Sequence, residues 1–268
     1  MKPMTTEAKK SLGQHWLDDQ ISLEAMVVAA DVQHGDTVLE IGPGTGELTQ
    51  KLLGAGAQVI ALEIDERLHP DLQQRFDEYG EAFTLVSGDI RTYDLSQLPS
   101  LYRIVANIPY YLTSHLFRLL SESSNPPQRA ALLVQKEVAE RVAAEPGDMS
   151  LLAVSTQFYW QVALGAVVPK EFFAPPPKID SQILILKMRD TPLFSVDEQT
   201  FFQVVKAGFS ARRKKLRSSL AGGLRLPKPE TEQLLKRAGI DPSARAQELS
   251  LKQWHELYQK YKGIEVSR

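Results

Sequence analysis

The 268-residue chain has no cysteine. This excludes disulfides, a thiol nucleophile and cysteine-ligated zinc, and it fits a reducing cytoplasm. No metal site is expected. No stretch approaches the roughly 18 unbroken apolar residues that a membrane helix requires. The opening segment MKPMTTEAKKSLGQHW carries charges with no apolar run behind them, so neither a membrane location nor a secretory route is expected. Internal repeats and low-complexity tracts are also missing. The composition that remains is that of an ordinary globular protein, 43% hydrophobic and 24% charged. The formal net charge is only −2, yet it is unevenly spread. Residues 1–190 hold 16 Lys and Arg against 25 Asp and Glu, whereas residues 191–268 hold 15 against 8. A basic appendage therefore follows an acidic body, and the length suits one ordinary domain plus a small one.

Strand-like and helical segments alternate through the first part of the chain. DTVLEIG, AQVIALEID, FTLVSGD and YRIVANIPY read as strands, separated by helical stretches such as GELTQKLLGAG. This alternation predicts an α/β domain over residues 1–190, a parallel sheet with helices on both faces. About seven strands are visible by this reading. RDTPLFSVDEQ has the character of a linker, and beyond it only short helices are readable, among them DEQTFFQVVKAGFS and ARRKKLRSSLAGG. A separate helical domain over residues 191–268 is expected.

EIGPGTGELT follows a strand and opens a helix, the context in which a glycine pattern becomes informative. Gly42, Gly44 and Gly46 permit a tight turn and close approach of a ligand to the backbone. The spacing lacks the later glycine of the dinucleotide fingerprint, which favours S-adenosylmethionine over NAD. Taken alone, the turn is equally consistent with a plain strand-to-helix connection. Glu63 ends the next strand, placed to accept ribose hydroxyls, and Asp89 ends the third, within reach of an adenine amine. At the carboxyl ends of consecutive parallel strands, these acids line the crevice where open α/β sheets bind ligands.

A fourth strand ends at Asn107 in NIPY, at the same sheet edge. Pro109 stiffens the turn and biases Ile108 toward extended geometry, so the turn carbonyls point in fixed directions. Tyr110 adds a flat ring. An exocyclic adenine amine is a weak nucleophile because its lone pair is delocalised into the ring. An amide oxygen and a turn carbonyl that accept its two hydrogens stabilise positive charge as it develops. A stacked aromatic contributes about 1–3 kcal/mol toward holding the extruded base.

SLGQHWL, EIGPGTG, ALEID, SGDI, NIPYYLTS, QKEVAERV, FFAPPPKIDS and GFSARRKKLRSSL, in this order, resemble the bacterial KsgA-type ribosomal RNA adenine dimethyltransferases. The resemblance implies a seven-stranded Rossmann-like S-adenosylmethionine methyltransferase sheet with a small all-helical C-terminal domain. It implies transfer of methyl groups to the N6 amines of two adjacent adenosines near the 3′ end of small-subunit rRNA. By the same resemblance the cofactor contacts fall on His15, Leu17, Gly42, Glu63, Asp89, Ile90 and Asn107, and base handling falls on Asn107, Tyr110 and Phe173. The chain departs from the family pattern at His15, where asparagine is common, at Trp16, where phenylalanine is common, and at Ile108, where leucine is usual. NIPY is shared with erythromycin-resistance enzymes that methylate large-subunit rRNA, which leaves that activity as an alternative. A non-catalytic ribosome-assembly factor is a second. Lys206, Arg212, Arg213, Lys214, Lys215 and Arg217 form a basic run without a carboxylate, expected to contact RNA phosphates. The expected partner is rRNA in a 30S assembly intermediate, met by a monomeric cytoplasmic protein.

Overall fold

In a computed structural model that describes residues 7–211 and 213–265, the chain runs from a short N-terminal arm through β1 (Trp16–Leu17), α1 (Gln20–Ala29), β2 (Thr37–Ile41), α2 (Glu47–Gly54), β3 (Gln58–Glu63), α3 (His69–Phe76) and β4 (Phe83–Ser87). It continues through β5 (Arg103–Asn107), α4 (Thr113–Glu122), β6 (Arg129–Gln135), α5 (Lys136–Val142), α6 (Leu151–Tyr159), β7 (Trp160–Val168), β8 (Phe173–Ala174) and β9 (Ser181–Met188). The remaining helices are α7 (Glu198–Phe209), α8 (Leu216–Leu224), α9 (Lys228–Arg237) and α10 (Leu251–Glu265). No helix among the described residues is long and apolar enough to cross a membrane.

Seven strands form one sheet in the order β4-β3-β2-β5-β6-β9-β7. β2 to β6 pair in parallel and β9 joins β6 antiparallel. The central strands read as unbroken apolar runs because both of their faces are covered: Val38, Leu39, Ile104, Val105 and every residue from Ala130 to Val134 are buried. Strand order reverses beside β2, which pairs with β3 on one side and β5 on the other. Such a switch point opens a crevice at the carboxyl ends of the strands. A separate two-stranded ladder pairs β1 with β8, setting Trp16 opposite Ala174 and Leu17 opposite Phe173.

The chain forms two compact units, Met1–Ala139 with Gln161–Met188, and Glu140–Trp160 with Arg189–Arg268. The sequence suggests one break near residue 190, whereas the units interleave. Glu140–Trp160 joins the helical unit because α6 buries Ala153, Val154 and Phe158 in the core that holds Phe201, Val204 and Trp254. The rings of Phe158 and Phe201 stack at 5.1 Å. Within that unit α7 is capped by Asp197, whose carboxylate accepts from the Thr200 N–H at 2.8 Å. The helix expected to begin at Ala211 begins instead at Leu216. Its start is set by burial of Leu216 and by a 2.7 Å bond from the Leu216 N–H to the Ala244 carbonyl, so Arg213 and Lys214 sit in a turn before it.

Candidate active site

A cavity opens at the switch point, walled by the ends of β2, β3 and β5, the segment after β4, and the N-terminal arm. His15, Gly42, Glu63, Asp89, Ile90 and Asn107 all line it. These positions lie up to 92 apart in sequence and meet because parallel strands deliver their carboxyl ends to one edge. Leu17 and Phe173 do not line it. Phe173 is 5% exposed and packs with Leu17 in the main core, so the structure places the Leu17–Phe173 rung of the β1–β8 ladder beneath the surface, where it pins the arm. Tyr110 opens the turn after NIPY, and its side chain lies outside the described residues. The neighbouring Tyr111 lines the cavity at its rim and is 53% exposed.

The turn after β2 closes on itself. Gly42 donates its N–H to the Leu62 carbonyl at 2.9 Å and Gly46 donates to the Pro43 carbonyl at 2.9 Å. Gly44 donates to Glu63 Oε2 at 3.2 Å. The last two glycines are required by both backbone and space. Gly44 has φ +58°, and a Cβ there would stand 3.0 Å from the Trp16 ring; Gly46 has φ +86°, and a Cβ would fall 2.7 Å from the Phe76 ring. Glu63 is 3% exposed and also accepts from the Asp65 N–H at 2.8 Å. Burial raises its pKa, opposed by the N–H groups of Asp65 and Gly44. Two backbone donors occupy half of its acceptor positions, and a carboxylate offers about four.

Behind the turn lies Glu40, 1% exposed, with Oε2 accepting from the Thr49 hydroxyl at 2.6 Å. Oε1 has no partner among the described residues. Burial pushes its pKa up to about 8, the Thr49 hydroxyl opposing the shift and the Glu63 charge adding to it. At neutral pH Glu40 is therefore a neutral acid bracing β2 against α2. Asp89 behaves oppositely. Arg91 donates to it from Nε at 2.8 Å and from its backbone N–H at 2.9 Å, and this pairing holds the carboxyl below its ordinary pKa, as an anion.

Asn107 ends β5 and donates from Nδ2 to the His15 carbonyl at 2.9 Å. A carbonyl only accepts, so the amide nitrogen must face the arm, and Oδ1 is left as the acceptor. The turn beyond is stiffened by a 2.9 Å bond from the Leu112 N–H to the Pro109 carbonyl. His15 donates from Nδ1 to the Pro175 carbonyl at 2.7 Å, tying the arm to the proline-rich segment. Gln14 donates to Asp65 at 2.9 Å, and Asp65 is itself gripped by Arg67. Sequence reasoning noted Trp16 only as a departure from the family pattern and passed over Gln14 and Tyr111, each adjacent to a residue it selected. Their signal was position within the same motifs.

Of the basic run, Lys206, Arg213, Lys214 and Lys215 are exposed. Arg217 is half-buried and paired with Glu232 at 2.6 Å, so α9 supplies a carboxylate that the run itself lacks. Arg212 lies outside the described residues.

A family model described as ribosomal RNA adenine dimethylase matches residues 5–262. A relative from Dehalococcoides mccartyi strain CBDB1, named ribosomal RNA small subunit methyltransferase A, is 42% identical over 98% of this chain and 91% of its own length. A solved dimethyladenosine transferase from Plasmodium falciparum superposes with a TM-score of 0.80 at 26% identity, covering 93% of this chain and 98% of that one. The 23S rRNA methyltransferase ErmE gives 0.76 at 27% identity, covering 92% and 99%.

Proposed function

Because the chain belongs to the ribosomal RNA adenine dimethylase family, we propose that it methylates the N6 amines of two adjacent adenosines near the 3′ end of 16S rRNA, giving dimethyladenosines during 30S biogenesis. It acts as a cytoplasmic monomer on an assembling particle. The observation that carries the reading is the meeting of Gly42, Glu63, Asp89 and Asn107 around one cavity at the switch point.

S-Adenosyl-L-methionine, the cofactor of this family, supplies an electrophilic methyl group when bound. The residues present fit it. A Cβ at Gly42 would project into open space at the cavity wall, Trp16 Nε1 has no partner among the described residues, and Glu63 keeps acceptor capacity for a pair of ribose hydroxyls. Asp89, held anionic by Arg91, accepts from the adenine amine, and the buried Ile90 packs beside the ring. Gly42, His15 and Trp16 close the other side.

Asn107 Oδ1 accepts one hydrogen of the target amine and the Ile108 carbonyl accepts the other, since the Pro109 carbonyl is already engaged by Leu112. Held by two acceptors, the nitrogen becomes tetrahedral and nucleophilic, and its growing positive charge meets fixed negative dipoles. The His15 carbonyl sets the amide in place before substrate arrives, so no reorganisation is needed at the moment of reaction. Tyr110 stacks on the base, while Phe173 contributes by holding the arm. Lys206, Arg212, Arg213, Lys214 and Lys215 bind phosphates without reading sequence. Arg217, already paired, contributes less.

The ErmE likeness keeps large-subunit rRNA as a second reading, and one assay separates the two. Labelled cofactor is incubated with undermethylated 30S particles, 50S particles and free rRNA, and the modified nucleotides are mapped. Label in a dimethylated adenosine pair near the 16S 3′ end is expected. Label confined to 50S would establish the resistance-type activity, and none in any RNA would establish a non-catalytic assembly factor.

A further inference from the structure

We propose that Tyr111 stacks on the base adjoining the adenine under methylation, with the Arg91 guanidinium beside it on the phosphate between the two nucleotides; this seat rests on the rRNA adenine reading above. Among the described residues only two aromatic side chains are exposed, Tyr111 and Phe172, and of these Tyr111 alone borders the cavity. At 53% exposure it leaves flat apolar surface in water at the cavity mouth, and an unstacked RNA base is the flat partner that covers such a ring.

The ring is held in place before RNA arrives. Its Cδ1–Cε1 side lies over Gly13, where a Cβ would stand 3.5 Å from each of the two atoms. Tyr110–Leu112 form a single turn of 3-10 helix, closed by the bond from the Leu112 N–H to the Pro109 carbonyl. Consecutive positions of such a turn face about 120° apart, so position 111 addresses a different group from position 110. The cofactor's adenine already has Ile90 beside it. What is left for Tyr111 is the nucleotide joined to the target.

A phosphate joins those two nucleotides, and the mouth it passes is acidic, because Glu63 and Asp89 both line the cavity. Arg91 offsets that charge. It spends Nε and Nη2 on Asp89, while Nη1 has no partner among the described residues and the side chain is half-exposed. The guanidinium also lies within electrostatic reach of Tyr111. A cation for the phosphate and a ring for the base, side by side, are the pairing that holds single-stranded nucleic acid without reading its sequence.

Arg91 also holds Asp89, so the ring carries the test, a double-mutant cycle between protein and RNA. Single-turnover methyl transfer is measured on undermethylated 30S particles, each adenosine followed separately. The particles are unaltered, or are reconstituted with rRNA in which the first or the second adenosine of the pair lacks its base, which removes the 5′ or the 3′ neighbour of the remaining target. On unaltered particles Tyr111→Leu should be about tenfold slower than wild type, the effect of losing one base–aromatic stack. On one of the two abasic particles wild type should itself be slowed about tenfold, and there the variant should match it; on the other the variant's loss should persist. A loss that persists on both would place the ring on the target base, and a loss that vanishes on both would mean a general defect of altered particles; either overturns the proposal. Cofactor affinity of Tyr111→Leu by calorimetry should stay within about twofold of wild type, since one stack on RNA is all that is removed. A fall there as large as the fall in rate would mean that Tyr111 only packs the arm at Gly13, and overturns it too. If the leucine variant melts well below wild type, wild type and Tyr111→Phe decide: the phenylalanine ring should restore the rate and its dependence on the same neighbour, whereas a wild type indifferent to both neighbours, or a phenylalanine variant as slow as expected for leucine, overturns the stack. No transfer by wild type to unaltered particles would fell the adenine reading, and the seat with it.

Discussion

Around the cavity, each functional side chain is held by a second group. Asn107 is held by the His15 carbonyl, Glu63 by the N–H groups of Gly44 and Asp65, and Asp89 by Arg91. In the turn before α8, by contrast, Arg213, Lys214 and Lys215 project as exposed charges on a segment whose fixed point is the buried Leu216 that follows. The first region works through geometry, so the loss of one atom is felt sharply and locally. The second works through the number of charges, so losses are graded and depend on salt.

The sharpest break in this contrast is Asn107→Ala. It removes the acceptor that meets the amine, and single-turnover methyl transfer should fall about 10²–10³-fold, the usual cost of losing one preorganised group at a developing charge. Cofactor affinity measured alongside should change far less. Similar losses in both would mean that the bond to His15, rather than the chemistry, is what Asn107 provides.

In the basic turn, Arg213→Glu with Lys214→Glu should weaken rRNA binding and flatten the plot of log affinity against log salt by roughly 1–2 units, in proportion to the phosphates released. Cofactor affinity should not change. A parallel fall in cofactor binding would show these residues to be structural.

A smaller effect sharpens the cavity side. Glu40 holds a proton in the folded state up to about pH 8, whereas an ordinary glutamate releases it near 4.5. Between those values the folded protein binds more protons than the unfolded chain, so stability should fall as pH rises through this window and level off above it. The total is of order a few kcal/mol. Glu40→Gln keeps the shape and the bond to Thr49 without the titration, and denaturant unfolding from pH 5 to 9 should show a flatter profile. Equal slopes in the two proteins would mean that Glu40 is ionised throughout.

Much of the cavity was legible because its parts repeat a local grammar. An apolar run, then a glycine, an acid or an amide, then a helix, is how a parallel strand announces its carboxyl end, and Gly42, Glu63 and Asn107 each stand in that place. The arm was less legible. A two-residue strand such as Trp16–Leu17 has no periodicity to read, and its partner lies more than 150 residues away at Phe173–Ala174. Phe173 in FFAPPP looked like a ring presented to a base, yet it is enclosed by that ladder, while Phe172 beside it is exposed. The basic run hid two facts for a similar reason. Its helical spacing continues through residues that form a turn, and Arg217 meets a carboxylate from a different helix.

The sequence by itself determined the parallel α/β sheet, the glycine turn, the acids and amide at its edge, and the basic character of the C-terminal part. These follow from backbone stereochemistry and from side-chain periodicity over a few residues. Only the tertiary structure decided which nitrogen of Asn107 faces inward, which cation is already neutralised, that Glu40 is a neutral acid, that Glu140–Trp160 packs with the distant helices, and that the Trp16 indole lies on the glycine turn without a partner. Each of these depends on groups remote in sequence being brought within a few ångströms, where burial and hydrogen bonding, rather than local propensity, set their state.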